Sequence, residues 1–156
     1  MADLFGPQAI ISRHTQNAPV NVEAIARDLG LSVYLDRQMP ADIAGKIVRS
    51  PSGYSLYINA ADPTRRRRFT LAHEIAHFVL HRDLIGDDLI DDCMYRSKLG
   101  GQYERQANRL SADILMPLGL VRGYYRGGTT SYAELGDIFD VSTDAIRIRL
   151  QELNLI

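Results

Sequence analysis

Cysteine is almost absent from this chain, which has a single one, Cys93, among 156 residues. One thiol excludes an internal disulfide and suits a reducing compartment. The sequence also lacks a basic N-terminal segment followed by a long apolar run, so it shows no secretory signal. No apolar run approaches the length of about 20 residues that a membrane-spanning helix needs. Together these absences predict a cytoplasmic protein.

An excess of charge of either sign is absent too, since 18 Lys and Arg face 19 Asp and Glu for a formal net charge of −1. This balance gives no general attraction to nucleic acid or to an anionic membrane, so any such contact must be local. Repeats and low-complexity linkers are also missing. Hydrophobic residues, at 46%, are frequent enough to build a core without disulfides. We therefore predict a single domain over residues 1–156.

Local patterns predict short strands followed by a series of helices. The strand segments are β-branched or aromatic, and Pro51-Ser52-Gly53 predicts a hairpin between the last two of them. An acidic segment at residues 86–101 is expected to form an irregular loop. The predicted fold class is α+β, with a small antiparallel β-sheet packed against a helical body. Strands are predicted at residues 31–35, 45–49 and 54–58, and helices at residues 22–29, 64–82, 102–115, 118–125, 132–139 and 143–153.

The most informative motif is His73-Glu74-Ile75-Ala76-His77, which matches H-E-x-x-H. Histidines four residues apart on a helix lie about 6 Å apart along its axis and about 40° apart around it, so both imidazoles can reach one ion. Glu74 can lie beside that ion and hold a water molecule. Zinc lowers the pKa of its bound water toward neutrality, and a carboxylate can then take the proton as general base. The motif therefore predicts zinc on His73 and His77, with Glu74 as the catalytic base.

The helix that carries this motif is apolar on nearly every side. The alternative interpretation is an ordinary amphipathic helix with solvated histidines. A helix without a polar face is buried, however, and polar side chains inside it need partners, which a metal ion supplies. The apolar residues are Phe69, Leu71, Ala72, Ile75, Ala76, Phe78, Val79 and Leu80.

A third ligand must come from outside the motif. His81 continues the four-residue row, but it lies about 12 Å along the axis from His73, so one straight helix cannot bring all three histidines to one ion. Acidic residues of the following loop are candidates, although that loop looks solvated. These are Asp87, Asp88, Asp91 and Asp92.

Glu104 is a better-placed candidate, because it opens the second strong helix. Glu104, Ala107, Asn108 and Ser111 line one face of that helix, and the small residues let a neighbouring helix approach closely. The alternative is a solvated first-turn glutamate that the helix dipole favours.

Two linked segments of the chain resemble the ImmA/IrrE family of metallopeptidases. Residues 69–81 read F-T-L-A-H-E-I-A-H-F-V-L-H, and a second helix follows with E-x-x-A-N spacing from Glu104 and ends in I-L-M-P at Pro117. The resemblance covers the chain from about residue 24 to the C-terminus. It departs from the family pattern at Leu110, where the family often has Phe, and at Ser111, where it often has Ala. Neither departure touches a candidate ligand.

This resemblance implies a zincin-like fold in which His73, His77 and Glu104 bind zinc and Glu74 is the catalytic base. It also implies a substrate, namely a helix-turn-helix transcriptional repressor that is cleaved to switch on phage, mobile-element or stress genes. Glu74 favours this enzymatic function, since a purely structural metal site has no use for that carboxylate. The alternatives are a non-catalytic peptidase-fold partner in a toxin–antitoxin or repressor complex, and a DNA-binding regulator.

The C-terminal residues 131–156 are typical of a helix-turn-helix pair, with Arg147 and Arg149 on the second helix. The surrounding charge is not basic, which disfavours specific DNA binding. The apolar residues of the pair suit packing on the catalytic body, and docking of the substrate is an alternative role.

Two further features concern charge and transition-state stabilisation. The arginines at residues 65–68 are typical of a solvated helix start, and some of them are expected to pair with the acidic segment at residues 87–92; contact with an acidic peptide is the alternative. Hydrolysis also needs a donor for the developing oxyanion. Candidates for this donor are Tyr95, Tyr103, Tyr124, Tyr125 and His81.

Overall fold

The computed structural model describes residues 6–92 and 100–156, with residues 88–92 described by their backbone alone. A short 3-10 helix, Arg82–Leu84, follows the third α-helix. No helix in these two segments is long and apolar enough to cross a membrane. The elements in chain order are α1 (Pro7–His14), α2 (Val22–Asp28), β1 (Ser32–Asp36), β2 (Ile43–Ser50), β3 (Gly53–Asn59), α3 (Thr64–His81), β4 (Asp88–Asp92), α4 (Gly101–Leu115), α5 (Leu118–Arg126), α6 (Tyr132–Phe139) and α7 (Thr143–Glu152).

Side-chain caps fix the starts of helices that the sequence predicted. Asn21 Oδ1 accepts the backbone N–H of Ala24 at 3.0 Å at the start of α2. Ser142 Oγ accepts the backbone N–H of Ala145 at 3.1 Å at the start of α7. Such caps satisfy donors that a first helical turn leaves without a partner inside the helix.

The four strands form one sheet in the order β1-β3-β2-β4. β2 is antiparallel to both β3 and β4, and the predicted hairpin joins β2 to β3. β2 has β3 and β4 on its two edges, so β1 pairs with the free edge of β3, and it does so in parallel. The α+β class is thus confirmed, and the sheet is mixed rather than wholly antiparallel.

The edge strand β4 occupies part of the segment that the sequence predicted as an irregular acidic loop. Aspartate is depleted in strands, so the local pattern contains no strand signal there. The strand forms through its pairing with β2, in a register from Val48–Asp88 to Ile43–Asp92 that shifts between Ile43 and Gly45. Pairing with a distant partner therefore decides the structure of this segment.

Helix α3 is central to the packing. It contacts β2 and β3 of the sheet, and it also contacts α2 and α4. Every residue from Thr70 to Phe78 is buried, as the apolar character of this helix predicted. Leu71, Ile75 and Phe78 belong to the main hydrophobic core. Consequently the polar residues of the motif are buried with them.

The start of α3 is tied to the end of α6 by ion pairs and hydrogen bonds. Arg65 donates to Asp137 Oδ1 at 2.8 Å and to Asp140 Oδ1 at 3.1 Å. Arg68 donates to the backbone carbonyl oxygens of Asp140 at 3.2 Å and of Phe139 at 3.4 Å. The sequence predicted partners in the acidic segment after α3, but these two arginines use partners on and after α6. Cations at the C-terminus of a helix offset its unsatisfied carbonyl groups.

Helix α7 is fixed to the rest of the molecule by Arg149. Its Nε donates to the carbonyl oxygen of Met116 at 3.0 Å, and its Nη1 lies 3.0 Å from Asp113 Oδ1. Arg147, two residues earlier, keeps a side chain that is 43% exposed, with Asp144 Oδ1 at 3.9 Å. One of the two arginines that a DNA-binding helix would need is therefore used inside the fold.

Gly45 on β2 allows a close approach between the sheet and α3. A Cβ added there would lie 2.6 Å from Thr70 Cγ2 and 3.1 Å from the carbonyl oxygen of Tyr57. We expect Gly45→Ala to lower the free energy of unfolding by about 1–3 kcal/mol, because overpacking forces neighbouring atoms off their positions. Urea unfolding followed by circular dichroism measures this change. Gly86→Ala is the matched control, since a Cβ at Gly86 meets nothing within 4 Å. Equal effects of the two substitutions would contradict the packing argument.

The substitution Arg149→Met tests whether the buried guanidinium of Arg149 stabilises the fold. Methionine keeps much of the apolar stem but leaves the Met116 carbonyl without its donor, so we expect a loss of about 1–3 kcal/mol in the free energy of unfolding. Arg147→Met on the same helix is the control, with an expected change within about 0.5 kcal/mol because that side chain is half exposed. Thermal or urea unfolding of both variants gives the comparison. A larger loss for Arg147→Met would show that the assignment is wrong.

Candidate metal centre

Helices α3 and α4 bring three candidate ligands together in the interior. His73 and His77, one turn apart on α3, are both 0% exposed, and their Nε2 atoms are 3.1 Å apart. Glu104, in the first turn of α4, points at them. Its Oε1 lies 2.8 Å from His73 Nε2, and its Oε2 lies 3.5 Å from His77 Nε2. The structure therefore brings Glu104 to the motif from the helix face that the sequence analysis identified.

The separations of these atoms fit a metal ion. A tetrahedral zinc site with metal–ligand distances of about 2.0–2.1 Å places its ligand atoms about 3.3 Å apart. The candidate ligand atoms of the three residues all lie within 4.8 Å of one another. Imidazole nitrogen and carboxylate oxygen are also donors that zinc uses. His73, His77 and Glu104 could therefore hold a metal ion.

Small residues on α4 make this approach between helices possible. Ala107 and Ser111, one and two turns after Glu104, are buried on the same face. Ser111 Oγ donates to the carbonyl oxygen of Ala107 at 2.7 Å, so the hydroxyl is satisfied within its own helix. The departure from the family pattern at Ser111 thus adds no unsatisfied polar group to the interface.

A second layer of side chains holds the two imidazoles. His73 Nδ1 lies 3.0 Å from Asn108 Oδ1, and His77 Nδ1 lies 2.9 Å from His81 Nδ1. His81 Nε2 in turn lies 2.7 Å from Gln106 Oε1. If both Nε2 atoms face a metal, each Nδ1 carries a proton and donates outward. His81 then accepts at Nδ1 and donates from Nε2 to Gln106.

Burial lowers the pKa of His81, although its hydrogen bond to Gln106 acts in the other direction. A neutral His81 is the form that this chain of hydrogen bonds requires, because a cationic ring has no acceptor. Sequence reasoning excluded His81 as a direct ligand and missed this supporting position. The continued four-residue row His73, His77, His81 was the available signal.

Glu74 is buried on α3, next to the sheet. A Cβ on Gly45 of β2 would lie 3.5 Å from Glu74 Oε1, so the glycine leaves room for this carboxylate. Glu74 thus lies close to β2, one residue after the first candidate ligand.

The other candidates from the sequence occupy different places. Asp87 is exposed, and its carbonyl oxygen accepts the backbone N–H of Arg49. The Tyr103 ring packs edge-on against His81, with centroids 5.1 Å apart, whereas Tyr124 packs against Phe139. Tyr125 packs against the main core. The side chains of Asp88, Asp91, Asp92, Cys93 and Tyr95 lie outside the described residues.

The sequence matches a known protein family over most of its length. A family model described as the IrrE N-terminal-like domain, Peptidase_M78, matches residues 26–151. The chain belongs to the ImmA/IrrE family. This membership agrees with a peptidase fold and with the buried His73, His77 and Glu104 group.

A solved structure shares the fold. It is a Mycobacterium tuberculosis transcriptional regulator, with a TM-score of 0.61 and 18% sequence identity. The match covers 92% of this chain and 46% of that chain, so this chain spans less than half the length of the regulator. No curated protein matched.

The supporting position of His81 leads to a prediction about metal affinity. Loss of a hydrogen-bond partner behind a ligating histidine weakens metal binding about 10–100-fold, so we expect His81→Phe to weaken zinc binding by that factor. Competition with a chromophoric zinc chelator measures the dissociation constant. His14→Phe is the control, since His14 bonds Asp28 near the surface. Unchanged zinc affinity in a folded His81→Phe protein would rule out the supporting role.

Proposed function

We propose that the chain is a zinc-dependent endopeptidase that cleaves a specific helix-turn-helix transcriptional repressor in the cytoplasm, and so derepresses phage, mobile-element or stress genes. The observation that carries this proposal is the buried group of His73, His77 and Glu104 with Glu74 adjoining it. Catalytic zinc sites use three protein ligands, whereas structural sites use four. The part of the chain that the structure describes brings three candidate ligands together, with Glu74 following the first of them, and this arrangement favours catalysis.

Each residue of the centre has a role in this hydrolysis. His73, His77 and Glu104 would hold zinc, which when bound polarises the scissile carbonyl and lowers the pKa of water. Glu74 accepts the proton of the attacking water and then delivers it to the leaving amine. Asn108 and His81 hold the imidazoles in the tautomers that leave each Nε2 available as a ligand.

The nature of the substrate rests on the family. The resemblance to the ImmA/IrrE family implies repressor cleavage, and the similar fold of a transcriptional regulator is compatible with a place in gene control. The proposal treats residues 1–156 as one metallopeptidase domain. Residues 131–156 form its helix-turn-helix-like pair, which packs on the body.

Two competing functions have less support. Specific DNA binding needs several phosphate contacts from Lys and Arg, but Arg149 is buried and bonded to Asp113 and Met116. A non-catalytic partner in a toxin–antitoxin or repressor complex would have no use for a buried carboxylate directly after the first candidate ligand in the sequence. Glu74 therefore favours the enzyme.

The test uses the wild type, Glu74→Gln and Glu104→Ala, with a panel of helix-turn-helix repressors from the same genome as substrates and casein for comparison. We expect Glu74→Gln to keep zinc but to lose at least about 100-fold in cleavage rate, because the amide cannot accept a proton. Glu104→Ala should lose zinc by elemental analysis, because it removes a ligand. Cleavage at the wild-type rate by Glu74→Gln would overturn the base assignment. Full zinc content in Glu104→Ala would overturn the third ligand.

A further inference from the structure

A large groove lies along the helical side of the molecule. Its volume is about 1020 Å³, and residues of α3, α4 and α7 line it. This volume lies at the upper limit of small-molecule pockets, which span about 300–1,000 Å³, and is large enough for a short segment of polypeptide.

The groove reaches the metal centre. Asn108 and Phe69 both line it. Asn108 Oδ1 is the hydrogen-bond partner of His73 Nδ1, and the Phe69 ring stacks on the His73 ring with centroids 6.3 Å apart. A segment bound in the groove would therefore lie directly behind the side chains that contact the first candidate ligand.

Charge divides the groove into two sides. Arg105 and Arg109 of α4 line it, both are exposed, and neither forms an ion pair within residues 6–92 and 100–156. Arg65 of α3 also lines the groove, but its guanidinium is paired with Asp137 and Asp140. Helix α7 contributes the carboxylates of Asp144 and Glu152 instead.

The side formed by α7 is also apolar. Ile148 is 46% exposed and lines the groove, and Ala145 lies one turn before it. Val141 and Met116 line the same groove and are buried. An exposed isoleucine beside two buried apolar residues is a suitable contact for an apolar side chain of a partner.

This division favours protein over nucleic acid as the occupant. A nucleic acid is negatively charged along its whole length, so phosphates would approach Asp144 and Glu152. An amphipathic peptide can instead place acidic side chains against Arg105 and Arg109 and apolar side chains against Ile148. Complementary charges of this kind set specificity and speed association.

We propose that this groove binds an acidic amphipathic segment of the protein substrate and thereby selects it for the peptidase. That the bound segment belongs to a substrate rests on the proposed function. The binding of an acidic amphipathic segment follows from the charge of the groove, its exposed isoleucine and its contact with Asn108.

The test measures binding separately from cleavage. The probe is a fluorescein-labelled synthetic peptide with Glu and Leu at helical spacing, and the protein is the full chain carrying Glu74→Gln so that no cleavage occurs. Fluorescence anisotropy gives the dissociation constant at low and at high salt. A peptide with Lys in place of every Glu, and a random-sequence DNA duplex, are the comparison ligands.

We expect the acidic peptide to bind more tightly than either comparison ligand, with affinity falling as salt rises. Arg105→Glu/Arg109→Glu should weaken its binding by at least about tenfold and should strengthen binding of the lysine peptide. Ile148→Ser should weaken binding of both peptides by about threefold or more, because it removes apolar contact area. Circular dichroism verifies that each variant is folded.

Arg37→Glu/Arg126→Glu is the matched control, since both residues are exposed and neither lines the groove. It makes the same change in net charge. The ratio of the dissociation constants for the two peptides should stay close to that of the protein that carries Glu74→Gln alone. Absence of acidic-peptide binding, equal effects of the two double reversals, or tighter binding of the DNA duplex would each overturn the proposal. Failure of the wild type to cleave any repressor would overturn the proposed function alone, because the binding results do not depend on cleavage.

Discussion

The contact between Glu104 of α4 and the two histidines of α3 is the constraint on which the rest of the structure depends. His73, Glu74 and His77 lie in the buried, largely apolar part of α3, and burial of such groups without partners is costly. Glu104 supplies its carboxylate from a helix 27 residues further along than His77. The close approach of α3 and α4 follows from this need, and so do the small side chains of Ala107 and Ser111.

Hydrogen bonds around the candidate ligands extend this constraint outward. Asn108 and Gln106 lie on α4, while His81 lies on α3, so the same helix pair supplies both the candidate ligands and the groups that orient them. A shift of either helix would disturb all of these contacts together. The centre is thus built from rigid elements rather than from loops, which suits a site whose geometry must be held closely.

Much of this arrangement was predictable from short-range pattern. The H-E-x-x-H spacing and the apolar character of residues 69–80 identified the buried helix, and the face shared by Glu104 and Ala107 identified the second one. Features that depend on distant partners were not predictable. Strand β4 consists largely of aspartates that form a strand only by pairing with β2, and the partners of Arg65 and Arg68 lie about 70 residues away in the chain. The role of His81 also depends on Gln106, which no spacing within α3 could reveal.

Asp140 illustrates how local backbone preference can yield to a long-range requirement. Its φ of 55° is a conformation that glycine adopts at less cost, so substitution of Asp140 by glycine would lower the backbone strain. The same substitution would remove the carboxylate that Arg65 and Arg68 share. Redesign from backbone preference alone would therefore choose glycine at position 140. It would remove two of the ion pairs that link the C-terminal helix pair to the start of α3, and would leave the bond from Arg65 to Asp137 and those from Arg68 to backbone carbonyl oxygens.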